Sequence, residues 1–394
     1  MSNSVKPFVA AGGRRRFIRR AARLILFATA PAFALLLATE GVFRLAHLGQ
    51  PALRSAPLPE EMAGVLQADR FLLWSLRPGI DTYFGSMHLT VNRLGLRGSE
   101  VLEKGADEFR ILSLGESSTF GATVSDEETY SARLQEYLNA ALPARHFTVI
   151  NAGVSAYSSV QSLKYLELRG GKLKPDLVLF YHEVNDYLPS SVRDSQNNEI
   201  GLTLTDQQLL GSKAQRVNRF LLEYSALFRF LSFQVASRRI QQFNRASFDN
   251  PLLNIGLPNI GLPPFVVAQK TNDTRFSGLN EKSLGRRVSD AERAENLKRL
   301  QAFCRLRGMR LIVIHPAYRH SAPHECLLTR FCRENRVLMF EAFPSLHPPG
   351  VPAEFSYRDL FHPTPAGHDR LARDLAAFIA TQLFTNAPDR RPAK

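Results

Sequence analysis

Phe109-Arg-Ile-Leu-Ser-Leu-Gly-Glu-Ser-Ser-Thr-Phe-Gly121 is the stretch on which the fold turns. Its first six residues are mostly apolar, with Arg110 and Ser113 among them, and they break off at Gly115 into a polar segment. A run of this length is too short for a self-burying helix and predicts a buried strand. The pattern returns along the chain. Phe147–Ile150 is followed by Asn151-Ala-Gly153, and Asp176–Tyr181 by Glu183-Val-Asn-Asp186. Arg310–Ile314 and Val337–Phe340 predict a fourth and a fifth strand.

Helix signals fall between these runs. Ser125-Asp-Glu-Glu128 is a capping box that predicts a helix through about Ala140, and another helix follows Ser158. Ser289-Asp-Ala-Glu292 predicts a helix ending near Gly308. Thr364-Pro365 supplies an N-cap and a Pro at the first helical position, opening a last helix through about Leu383. Short apolar strands alternating with amphipathic helices predict an α/β fold with a parallel sheet covered on both faces.

In open parallel sheets, ligands bind at the carboxyl ends of the strands. Gly115–Gly121, Asn151–Gly153 and Glu183–Asp186 all lie just past a predicted strand, and Asp359-Leu-Phe-His362 lies in the loop before the last helix. Their chemistry is complementary. A serine hydroxyl is a poor nucleophile until a base takes its proton. His362 is the candidate base for Ser117, and Asp359 can fix the imidazole tautomer. The backbone N–H groups of Ser117 and Gly153 and the side-chain amide of Asn185 are the candidate oxyanion donors.

These four blocks, in this order, resemble the SGNH (GDSL-type) esterases: Ser117 in Gly-Glu-Ser, Gly153, Asn185 in Val-Asn-Asp, and the Asp359/His362 pair. The likeness covers residues 109–186 and 337–384. The Asn92–Gly98 stretch looks similar to membrane-anchored bacterial members. The resemblance implies a flavodoxin-like three-layer α/β/α fold and activity on esters of carbohydrates or lipids. Two positions depart from the pattern. Glu116 replaces the family's Asp, and Glu183 stands where the family has Gly, with a charge that opposes an oxyanion unless it points away. The segment is not the nucleophile elbow of the α/β-hydrolases, because position 119 is Thr.

The formal net charge is +14, and Lys6, Arg14, Arg15, Arg16, Arg19, Arg20 and Arg23 carry half of it before the first acidic residue. The rest is diffuse and forms no basic face, so nucleic acid is not an expected partner. An apolar run follows from Leu24 to Phe43, interrupted only by Glu40 near its end. About 20 residues cross a hydrocarbon core of about 30 Å. The flanking charge predicts the N-terminus inside and the remainder outside, periplasmic or extracellular. A cleaved signal peptide, with Ala32-Phe-Ala34 as the cleavage site, is the alternative.

These readings divide the chain into a basic tail (1–23), a transmembrane anchor (24–43), a connector with some strand content (44–107), an SGNH-like domain (108–386) and a short tail (387–394). The domain carries an insertion at about 187–288. Val217, Phe220, Leu221, Tyr224, Leu227, Phe228 and Leu231 fall there at helical spacing, for packing helices, a lid or a membrane face. A duplicated Asn-Ile-Gly-Leu-Pro at 254–263 reads as a surface loop. Cys304, Cys326 and Cys332 are too few for a disulfide framework, and Cys326 with Cys332 is the nearest pair. His315, His320, His324 and Cys326 match no tetrahedral spacing, so no metal or organic cofactor is expected. The expected activity is hydrolysis of short acyl esters through an acyl-enzyme on Ser117. The alternatives are an O-acyltransferase acting on an envelope polysaccharide with the same residues, and a non-catalytic envelope binding protein.

Overall fold

The computed structural model describes residues 11–46, 48, 64–69, 71–187, 287–320, 322, 323 and 325–385, with short pieces of the insertion. The 254–263 duplication, His324 and the C-terminal tail lie outside the described residues, as do the first ten residues and most of the insertion.

The chain opens with helix α1, Ala11–Leu45, containing Pro31. Within it, Phe27–Leu45 is long and apolar enough to cross a membrane, a composition that a signal sequence shares, and none of it is buried. Glu40 is not left idle at the end of this run. Its carboxylate accepts from Ser225 Oγ (2.9 Å), Ala226 N (2.8 Å) and Leu227 N (3.1 Å), capping a helical piece of the insertion. Phe43 and Phe230 meet edge to face beside it.

Two antiparallel hairpins follow, β1 (Leu66–Asp69) with β2 (Leu73–Leu76) and β3 (Ile80–Phe84) with β4 (Met87–Val91). They belong to the core: Leu72, Trp74, Leu76, Leu89, Val91 and Leu96 are all buried in it. Trp74 Nε1 donates to Ser155 O at 3.2 Å, and Tyr157 returns its hydroxyl to Trp74 O at 2.7 Å.

The remaining described elements follow in chain order. They are β5 (Glu108–Gly115), α2 (Ser117–Phe120), α3 (Tyr130–Ala141), β6 (His146–Gly153), α4 (Ser159–Leu168), β7 (Leu177–Tyr181) and α5 (Val184–Tyr187). The insertion adds β8 (Ser191–Arg193), β9 (Glu199–Gly201) and α6 (Asp206–Leu210). Then come α7 (Asp290–Leu306), β10 (Arg310–His315), α8 (Leu327–Asn335), β11 (Leu338–Glu341), α9 (Phe343–Leu346) and α10 (Pro365–Ala380).

Strands β5, β6, β7, β10 and β11 form one parallel sheet in the order β11-β10-β7-β5-β6. Counted along the chain this is 2-1-3-4-5 from the β6 edge, the flavodoxin-like order. Alternate residues of each strand serve opposite faces. Ile111, Leu177, Leu179, Ile312 and Ile314 pack on α3 and α10 through Leu134, Leu138, Leu371, Leu375 and Ile379. Leu112, Leu114, Val178, Phe180 and Val313 pack on α4, α7 and α8 through Leu163, Leu166, Leu297, Leu300, Leu328 and Phe331. The three-layer α/β/α fold is therefore present. Apolar residues on both faces make β7 a continuous apolar run, whereas β5 also carries Arg110 and Ser113.

One expected helix starts late. The Ser125–Glu128 capping box forms, but it closes a 3-10 turn over Asp126–Glu128, and α3 begins at Tyr130 with Thr129 as its N-cap. The cause is tertiary. Asp126 accepts from Thr90 N at 2.8 Å and from Arg97 Nε at 2.7 Å, which holds the turn against the β3–β4 hairpin. All three cysteines are free thiols; Cys304 and Cys332 are buried, and no Cys326–Cys332 bond forms.

Candidate active site

Three of the expected residues meet. Ser117 opens α2 directly after β5, with Glu116 as the N-cap. His362 comes from a tight loop before α10, in which Tyr357 bridges Pro363 and Arg358 N donates to His362 O at 2.9 Å. His362 Nε2 lies 2.8 Å from Ser117 Oγ, and His362 Nδ1 lies 2.6 Å from Asp359 Oδ2. The other carboxylate oxygen of Asp359 accepts from the N–H groups of Phe361 and His362, each at 2.8 Å. An ionised carboxylate only accepts, so the proton sits on Nδ1 and the Nε2 lone pair faces the serine. Although Asp359 is partly buried, its bonds to His362 and Phe361 outweigh that burial and hold its pKa down at about 2.

The loop is also pinned to the segment that follows Ser117. Ser118 Oγ donates to Phe361 O at 3.4 Å, and Thr123 Oγ1 donates to Pro363 O at 3.0 Å.

Asn185 lies at the same edge. Its Nδ2 donates to Tyr157 O at 3.0 Å, and its backbone N–H donates to Glu116 Oε2 at 3.2 Å. Next to it, Asp186 accepts from Ser159 N at 2.7 Å and pairs with Arg293 at 3.3 Å. The turn that Asn185 grips contains Ala156 at φ 62, whose carbonyl is held by Arg287 at 2.5 Å.

Gly153, the other expected oxyanion donor, has its N–H engaged within its own strand. Its N–H donates to Asn151 Oδ1 at 3.0 Å. Its glycine identity has a different cause: a Cβ there would lie 2.3 Å from Phe120 N and 2.6 Å from Thr119 C. The end of β6 thus packs against the backbone of α2, and Asn151 Nδ2 donates to Thr119 O at 2.8 Å across the same contact.

Burial, and then the charge of Asp186, push the Glu116 carboxyl up to about 8. It is protonated at neutral pH, and the Gly-Glu-Ser departure adds no charge beside the serine. Glu183 is buried as well, at 1 % exposure. It groups with His315 and Cys326 rather than with the triad. The histidine grouping read from the sequence is therefore different in space, since His320 is exposed on the surface.

Arg97 is the participant that sequence reasoning missed. Its side chain is 1 % exposed. The guanidinium donates to the carbonyls of Phe120 and Gly121, reaches Val124 O at 2.5 Å, and lies 4.8 Å over the Phe120 ring. The only sequence signal was the turn-rich Asn92–Gly98 stretch, which does not name a partner. A separate groove of about 920 Å³ runs past Thr90, Arg97, Glu108 and Gln135 and contains none of Ser117, Asp359 and His362.

No protein-family profile and no curated protein sequence matches this chain. Among solved structures it is similar to a two-domain esterase active on acetylated mannans, at 15% identity and a TM-score of 0.39, over 73% of this chain and 53% of that one. It is similar to a variant of an acetyl xylan esterase from Geobacillus stearothermophilus, at 16% identity and a TM-score of 0.38, over 71% of this chain and 95% of that one. A GDSL-like lipase from Bacteroides thetaiotaomicron aligns at 11% identity and a TM-score of 0.36, over 72% and 93%. At these scores, the roles assigned below rest on this chain's own geometry.

Proposed function

We propose that this protein hydrolyses short acyl esters through an acyl-enzyme on Ser117. The observation that carries the reading is the linear relay Ser117 Oγ, His362 Nε2, His362 Nδ1, Asp359 Oδ2, at 2.8 and 2.6 Å. As Ser117 Oγ attacks the ester carbonyl, its proton passes to His362 Nε2. Asp359 stabilises the imidazolium that results. The same proton then goes to the leaving alkoxide, and a water molecule, deprotonated by His362, releases the acid and restores Ser117. The proposed oxyanion donors are the Ser117 N–H at the start of α2 and the Asn185 amide, with Gly153 reassigned to packing. Nothing in this sequence of steps calls on a metal or an organic cofactor.

Substrate and location are parts of the same proposal. The alcohol portion is a carbohydrate or lipid large enough to stay in solvent, a reading supported by a triad whose Asp359 side chain is 48% exposed and His362 side chain 23%. The arginine-rich start before Phe27–Leu45 supports a catalytic domain outside, and Leu35-Leu-Leu37 directly after Ala32-Phe-Ala34 supports an uncleaved anchor.

Purified full-length chain should turn over an aryl acetate faster than aryl esters of longer acids, and Ser117→Ala should lose about three or more orders of magnitude. Equal turnover by wild type and Ser117→Ala would falsify the reading. Transfer of acetyl to an added oligosaccharide in preference to water would convert it to a transferase with the same acyl-enzyme.

A further inference from the structure

The carboxyl edge of the sheet carries a second cluster of reactive side chains beside the triad. Glu183 follows β7, His315 ends β10, and Cys326 is the N-cap of α8. One ligand-capable atom from each lies within 4.8 Å of the other two. Cys326 Sγ is 3.6 Å from His315 Nε2. Zinc bonds of about 2.0–2.1 Å to nitrogen and about 2.3 Å to sulfur set the N···S edge of a tetrahedron at about 3.6 Å.

The outer contacts point the same way. His315 Nδ1 lies 2.7 Å from Glu341 Oε2, on the neighbouring strand β11. A carboxylate there keeps the proton on Nδ1 and turns the Nε2 lone pair toward Cys326. This is how carboxylates orient imidazoles that bind metals. Glu183 and His315 are buried, whereas Cys326 is partly exposed, leaving a path of entry.

We propose that Glu183, His315 and Cys326 form a three-ligand site for one divalent ion of the zinc class, oriented by Glu341 and leaving a fourth position open to water or substrate. Thiolate, imidazole and carboxylate together suit zinc, whereas calcium and magnesium take oxygen ligands. Binding releases the thiol proton of Cys326 to solvent.

A rival reading takes Cys326, His315 and Glu341 as a second nucleophilic relay. Glu183 decides against it. A relay of those three leaves the buried Glu183 carboxylate outside its chemistry, whereas a cation uses it as a ligand. An ion here would tie β7, β10 and α8 together. It would also neutralise the carboxylate that stands in place of the family's glycine.

The test uses the full-length chain in detergent, stripped with a chelator. Zinc titration by calorimetry, with elemental analysis, should give one ion per chain. Cobalt should give a thiolate-to-metal charge-transfer band in wild type, a readout that needs no variant and no esterase activity. Cys326→Ser and His315→Gln should each weaken zinc binding by about 100-fold or more, and Glu341→Gln by about 10- to 100-fold. The Cys304→Ser/Cys332→Ser double variant should bind as wild type does. Zinc should also protect Cys326 from alkylation. Three outcomes overturn the site: no cobalt–thiolate band, unchanged zinc affinity in a folded Cys326→Ser, or alkylation of Cys326 at the same rate with and without zinc.

Discussion

One nitrogen of Arg97 donates to two consecutive carbonyls, Phe120 O and Gly121 O, three and four residues beyond the serine that meets His362. The rest of the guanidinium holds Val124 O and Asp126. Gly121, at φ 79, is the left-handed residue that ends α2. A residue of the segment before the sheet thus shapes the turn that presents Ser117.

Arg97→Met should therefore lower both stability and activity. Breaking a buried, hydrogen-bonded charge pair costs about 3–5 kcal/mol. Denaturant unfolding should show a loss of that order, with slower labelling of Ser117 by a fluorophosphonate in the fraction still folded. Arg97→Lys should recover little of either, because a single ammonium cannot span three carbonyls and a carboxylate. Full labelling in Arg97→Met would remove the turn-shaping role.

Asp359→Asn separates geometry from proton placement. The amide can keep one oxygen on the N–H groups of Phe361 and His362 but offers a donor to His362 Nδ1. That favours the wrong tautomer, for which a loss in kcat of about 10⁴ is expected. Steady-state kinetics should show the loss in kcat with little change in unfolding midpoint. A large fall in stability instead would make Asp359 a loop-folding residue.

Gly153→Ala should fail by packing rather than by losing an oxyanion donor. The new methyl would lie 2.3 Å from Phe120 N, where backbone cannot yield cheaply. Overpacking typically costs about 1–3 kcal/mol, and more when the neighbours are backbone. The expected result is a lowered thermal midpoint, measured by calorimetry. A variant as stable as wild type but slowed in acylation would return Gly153 to the oxyanion hole.

Glu116 makes stability fall with rising pH. Its carboxyl titrates near 4.5 in an unfolded chain and at about 8 when folded. Between those values the folded state binds more protons, so its contribution is full below about 4.5 and is lost as pH rises through 8. Glu116→Gln keeps a neutral group of the same shape. Unfolding free energies measured from pH 5 to 9 should decline with pH by about one proton less in the variant. Parallel profiles would mean that Glu116 is already ionised in the fold.

The sheet was legible because its strands are buried on both faces. Ile111 and Leu112, or Ile312 and Val313, face opposite layers, so apolar residues follow one another without the alternation of a half-buried strand. Asp359 and His362 were legible because their interaction is local, three residues apart on one loop. Ser117 and Asn185 were singled out by their place just past a strand together with the order of the four blocks. What escaped depended on distant partners. The helix expected from Ser125 begins at Tyr130, because Thr90 and Arg97 engage Asp126. The stretch at 44–107, read as a connector with some strand content, supplies Trp74, Leu76 and Leu89 to the core. Cys326 and His315 were visible as a spacing that fitted no template. Their third companion, Glu183, lies more than 130 positions earlier, where only the order of strands in the sheet brings it close.

The close approach of β6 to α2 has a consequence for what the glycine marks. The glycine at 153 is demanded by the backbone of Thr119 and Phe120, whatever Ser117 does. A chain that lost its serine would still need the glycine, since a Cβ there meets the α2 backbone whether or not Ser117 reacts. Of the blocks that mark this candidate site, Gly153 therefore reports how β6 packs on α2, and Ser117 with His362 is the part that bears on the proposed chemistry.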